Sequence, residues 1–80
     1  MSLTDTLDIA EKKFEFELAH LGDLSKYNFA QLSKQLSQFN VDIDNFGSYF
    51  NAHFESPFSV LAIQFDSSGK FLKIINQYWK

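Results

Sequence analysis

The sequence predicts an α+β domain: three N-terminal helices packed on a C-terminal antiparallel β-hairpin, a ribbon open to extension into a four-stranded sheet by dimerisation. Three observations predict it. Apolar residues recur at helical spacing through the first half of the chain, the only proline, Pro57, divides that half from the rest, and two β-favouring runs flank a turn at Asp66-Ser67-Ser68-Gly69-Lys70. With 80 residues, residues 1–80 form a single domain that buries only roughly 60% of its unfolded surface. An apolar share of 45% with ten Phe is nevertheless more than a disordered chain carries.

The first helix is read from Leu3, Leu7, Ala10, Phe14, Leu18 and Leu21, which fall within an arc of about 80° at the helical step. Ser2 or Thr4 can cap its start, Asp5 and Asp8 suit its positive end, and Gly22 is a natural stop. Phe14, Phe16 and Leu18 also alternate with Glu15 and Glu17 as a strand would, so residues 13–19 admit either form; the longer stripe favours helix. A second helix is read from near Asn28 to Phe39, with Phe29, Leu32, Leu36 and Phe39 on one face and Ser25 or Asn28 as its cap. A connector at Val41 to Asp44 leads to a third, capped by Asp44 and carrying Phe46, Tyr49, Phe50 and Phe54, with Gly47 as its weak point.

The hairpin joins Phe58–Phe65 to Phe71–Tyr78 through a type I turn followed by a left-handed glycine. The expected register sets Phe65 opposite Phe71, Ile63 opposite Lys73 and Leu61 opposite Ile75, leaving Val60, Ala62, Leu72, Ile74 and Tyr78 on the other face. A ribbon apolar on both faces needs cover on both. A homodimer or a complex with another protein is the expected source of that cover.

Composition closes several functional classes. A formal charge of -3, with seven Lys plus Arg scattered along the chain, does not build the basic surface that nucleic acid requires. Cysteine is absent, which removes disulfide, thiolate and sulfur-ligated metal chemistry. No stretch approaches the roughly 20 apolar residues of a membrane span, and a soluble cytoplasmic protein is the expectation. Gly22, Gly47 and Gly69 lie too far apart to cradle a phosphate. Asp42, Asp44 and Gly47 imitate part of a calcium loop, but Phe46 and His53 occupy positions that need oxygen ligands. Glu11 and Glu15 share a helix side with Lys12 and Lys13 nearby, the mark of a solvated charged face. No cofactor and no metal are expected.

The candidates that remain are contact residues. Ile9 and Phe16 fall together on the side of the first helix away from its main stripe, and Tyr78 and Trp79 close the chain. Aromatic side chains make strong interface anchors when desolvated. His20, near the helix end, suits the dipole there. The expected function is therefore non-catalytic protein interaction, as a small inhibitor, immunity-like protein, adaptor or assembly subunit. The alternative is a small-ligand module or small enzyme with an aromatic pocket bordered by Tyr49, His53 and Trp79.

Overall fold

A computed structural model describes residues 3–80, with side chains from residue 7 onward. Helix α1 spans Leu3–Leu21, a 3₁₀ turn follows at Leu24–Lys26, and α2 spans Phe29–Gln35. Four strands complete the chain: β1 Asn40–Asn45, β2 Tyr49–Glu55, β3 Ser59–Asp66 and β4 Phe71–Trp79. They form one antiparallel sheet in the order β1-β2-β3-β4. The chain stays α+β, but with two helices and four strands in place of three helices and a two-stranded hairpin.

Residues 13–19 lie within α1, where the long stripe prevails over the short alternation. Phe14 and Leu21 are buried by the sheet side of the molecule, and Leu18 packs against them. Gly22, at φ +72°, ends the helix with its N–H donating to the Leu18 carbonyl at 3.2 Å, the left-handed stop that glycine adopts without strain. The expected contributions of Ser2, Thr4 and Asp5 lie outside the described side chains. Asn28 caps α2 through a reciprocal box: its Oδ1 accepts from Gln31 N–H at 2.8 Å while Gln31 Oε1 accepts from Asn28 N–H at 2.9 Å. This helix ends at Gln35, short of the expected Phe39. Phe39 still meets the core, edge-on to Phe14 at 4.8 Å.

The expected third helix is instead the β1–β2 hairpin. Phe50, Ala52 and Phe54 alternate with Asn51, His53 and Glu55, and Val41 and Ile43 alternate with Asp42 and Asp44. That period of two fits a strand with one face on the core, whereas a helix would have mixed the two sets. Gly47 at φ +91° is the first central residue of the turn, and Phe46 N–H donates to the Tyr49 carbonyl at 2.9 Å. Positive φ at that position alone is the hairpin form glycine selects. Asp44 is therefore a strand residue and caps no helix.

At the β3–β4 turn, Asp66 Oδ1 accepts from Ser68 N–H at 2.9 Å, Ser68 Oγ–H at 2.6 Å and Lys70 N–H at 2.9 Å, and Gly69 sits at φ +92°. Phe65 faces Phe71, but two β-bulges then shift the ladder. Ile63 pairs with Ile74 and not Lys73, and Leu61 with Gln77 and not Ile75. Each bulge adds one residue to β4 without adding one to β3. The first, at Leu72, moves Ile74 to the side of the helices and Lys73 to the outer face, and the second, at Ile75, returns the residues beyond it to their expected faces.

The core lies between the helices and the inner faces of β2 and β3. Phe14, Leu32, Leu36, Phe54, Leu61, Ile63 and Phe65 are all buried, each contributing about 1.5–3 kcal/mol by leaving water. Phe29 anchors α2 to it, with rings of Phe50 at 5.1 Å and Phe65 at 5.5 Å, and its N–H donates to the Gly69 carbonyl at 2.8 Å. On the outer face, Val60 and Ala62 are only 3% exposed although no core cluster reaches them. Their register neighbours are Glu55 and Tyr78, and His53 and Asn76. The expected need for an external cover over both faces of the ribbon does not extend to β3, whose outer-face Val60 and Ala62 are already buried within the chain.

Glu11 is the exception to this economy. It is 5% exposed, and among the described residues neither carboxylate oxygen has a hydrogen-bond partner. An unsatisfied buried polar group costs about 1–3 kcal/mol, so Glu11→Met should raise the urea unfolding free energy by about that amount. A loss of stability on that substitution would contradict the burial described.

Asp66 gives a pH prediction. The Ser68 hydroxyl, then the Lys70 and Ser68 amides, hold its carboxyl below the ordinary carboxylate range. A depressed folded pKa means stability that is present above the unfolded value and lost as pH falls through the folded one. Asp66→Asn should therefore lower the urea midpoint at neutral pH, and the difference from the parent chain should vanish once the pH lies below the depressed folded value.

Candidate interaction surface

The functional candidates divide into side chains that the fold exposes and side chains that it separates. Ile9 and Phe16 lie on α1 turned away from the core, and Phe16 is 69% exposed. Its ring stacks on His20 at 6.3 Å with an interplanar angle of 12°, one helical turn apart. An open groove beside them is lined by Ile9, Lys12, Lys13, Phe16, Glu17 and Gln38.

Tyr78 and Trp79 lie on β4, an edge strand of the sheet. Their register partners are Val60 and Ser59, so Tyr78 belongs to the outer face and Trp79 to the helix side, where it borders Phe14 and Glu15. Leu72, Ile74 and Ile75 join them on the same strand, and all five are between 43% and 67% exposed. β4 contributes only Phe71 to the packing of the core. The bulged strand thus exposes apolar side chains on both of its faces, interspersed with Lys73, Asn76 and Gln77.

The opposite edge, β1, is exposed along its whole length. Val41 and Ile43 lie on its helix side, opposite Phe54 and Ala52, while Asp42 and Asp44 lie on the outer face, opposite His53 and Asn51. Asp44 Oδ2 lies 3.5 Å from His53 Nε2. Phe46 extends the apolar part, stacked on Tyr49 at 5.0 Å. Sequence reasoning missed Val41, Ile43 and Phe46 as surface residues because it read them as a connector and a helix. The Val-Asp-Ile-Asp alternation was the available signal.

The aromatic pocket is not assembled. Tyr49 and His53 share the outer face of β2, whereas Trp79 is on the helix side of β4. Tyr49 pairs with Asp66 at one end of β3 and Trp79 with Ser59 at the other. Among the described residues no three His, Asp or Glu side chains converge as metal ligands. Ser56 and Ser59, both buried, bond to each other at 2.7 Å across the β2–β3 turn, a turn-closing pair. No described helix is long and apolar enough to cross a membrane.

Comparison of the chain with protein-family models, with curated proteins and with solved structures finds no match. The surface is therefore read from its own chemistry.

Trp79 reports on that surface directly, since it is the one tryptophan of the chain and 67% exposed. Emission of the isolated chain at high dilution should be red-shifted and readily quenched by acrylamide. A blue-shifted, protected spectrum under those conditions would show that Trp79 is buried within the single chain.

Proposed function

We propose that this protein is a non-catalytic interaction module that binds protein, a second copy of itself or another chain, along β4. The observation that carries the reading is the apolar edge of β4: five large side chains remain in water on one strand of a small domain. Single exposed hydrophobics need no explanation, but five large ones on one edge strand of nine residues mark a place where another surface binds. Ile74, Tyr78 and Trp79 supply the anchors, and desolvating such residues carries most of the affinity at interfaces. A small inhibitor, adaptor or assembly subunit uses no reactive group, in keeping with side chains that point toward contact and not toward a shared cleft.

Affinity capture separates this reading from its failure. The parent chain and Ile74→Lys with Trp79→Ala, each immobilised at equal density, are compared on the same cell lysate. The parent should retain one or more proteins in defined stoichiometry, and the variant should lose them by about tenfold or more, as expected when anchors are removed. Equal retention by both, with both folded by circular dichroism, would overturn β4 as the binding surface.

A further inference from the structure

The two edges of the sheet are complementary to each other. β1 carries Asp42 and Asp44 on the outer face and Val41 and Ile43 on the helix side. β4 and the residue preceding it carry Lys73 and Lys70 on the outer face and Phe71 and Ile74 on the helix side. We propose that copies of this chain associate head to tail, the β1 edge of one continuing the sheet beyond β4 of the next. The proposal rests on the reading of β4 as an interaction surface and names its occupant as a second copy.

Strand direction permits it. Each neighbouring pair in the order β1-β2-β3-β4 is antiparallel, so β1 and β4 run in opposite directions. A copy displaced along the width of the sheet sets its β1 antiparallel to β4, with its helices on the same side. One register then satisfies both faces. Ile74 meets Val41 and Phe71 meets Ile43 on the helix side, while Lys73 meets Asp42 and Lys70 meets Asp44 on the outer face. Leu72, the extra residue of a bulge in the β3–β4 ladder, has no counterpart in this register.

The same charges disfavour the symmetric arrangements. Pairing β4 with another β4 brings the Lys70 and Lys73 rows together, and pairing β1 with another β1 does so for Asp42 and Asp44. Like charges opposed across strands are destabilising, whereas opposite charges contribute roughly 0.2–1 kcal/mol per pair. Lysines and bulges are also devices that stop an edge from pairing indiscriminately, and an acidic strand is the one for which the lysines turn from deterrent to contact. Among the described residues, Lys80 pairs with Glu55 and His53 lies against Asp44. Asp42, Lys70 and Lys73 are left for an external partner. The contact is heterologous, so it propagates into an open chain or closes into a ring.

Sedimentation velocity on the full chain, from low micromolar to millimolar concentration, tests this. The weight-average mass should rise with concentration beyond that of a dimer, or plateau at a closed ring, and fall at high salt. Asp42→Lys with Asp44→Lys, and Lys70→Glu with Lys73→Glu, should each weaken association by about tenfold or more. An equimolar mixture of the two should recover it, because the basic β1 of one fits the acidic β4 of the other. A monomer at all concentrations, a dimer limit, or recovery absent from the mixture while both variants are folded would overturn the proposal. If the parent chain is monomeric yet still captures lysate proteins through Ile74 and Trp79, only the choice of occupant fails; if capture is also lost, the interaction reading fails with it.

Discussion

Burial in this molecule falls from the middle of the sheet to its edges, because the helical layer covers only part of the inner face. β2 and β3 place Ala52, Phe54, Leu61, Ile63 and Phe65 beneath Phe14, Leu32 and Leu36. α2 is seven residues long, about 10 Å at the helical rise. α1, of 19 residues, is about 28 Å long at the same rise. These elements cover the central strands, the 3₁₀ turn lies against β4, and of the inward residues of β1 and β4 Phe71 packs on the core while the others are left at the margin. Val41, Ile43 and Ile74 point to the side of the core without entering it.

That shortfall determines the character of the surface. A wider helical layer would have buried these side chains, and the chain would expose mostly Lys, Glu and Asn. Instead the apolar residues collect along two edges that also carry unpaired backbone groups. The turns reinforce the arrangement at one end: Ser67 N–H donates to the Ser48 carbonyl at 3.1 Å, and Phe29 N–H to that of Gly69. The β1–β2 and β3–β4 hairpins are thereby tied together and to the start of α2, so the two edges are held at a fixed separation.

Much of this was legible in local chemistry. The stripe of Phe14, Leu18 and Leu21 predicts α1, Asn28 is one of two caps anticipated for α2, and Asp66 to Lys70 forms the turn its residues demand. The β1–β2 hairpin is hard to read from sequence because Phe46, Phe50 and Phe54 are spaced four apart, which satisfies a helix as well as alternation does. Gly47 and the Val-Asp-Ile-Asp run were the arbiters, and both favour the strand. The register beyond Phe65 and Phe71 was beyond reach for a different reason. A bulge changes the count on one strand only, and no residue type in Leu72 to Ile75 announces it. Exposure of Ile9, Phe16, Tyr78 and Trp79 is legible from their positions, whereas the separation of Tyr49 and His53 from Trp79 follows from strand pairings that local spacing does not determine.

The bulges also bear on how an apolar edge is kept from unselective pairing. A regular β4 in the expected register would have turned Lys73 toward the helices, opposite Ile63, and Ile74 to the outer face. The extra residue Leu72 reverses that assignment, placing Lys73 beside Gln64 and Ile74 beside Ile63, and the second, Ile75, restores the original alternation from Asn76 onward. The lysine then sits where a neighbouring strand would have to accommodate a charge, and only a strand with an acid at the matching position can do so at little cost. Irregularity in the ladder and selectivity at the edge thus have one origin: the inserted residues decide which face each side chain occupies, and the face decides what can bind.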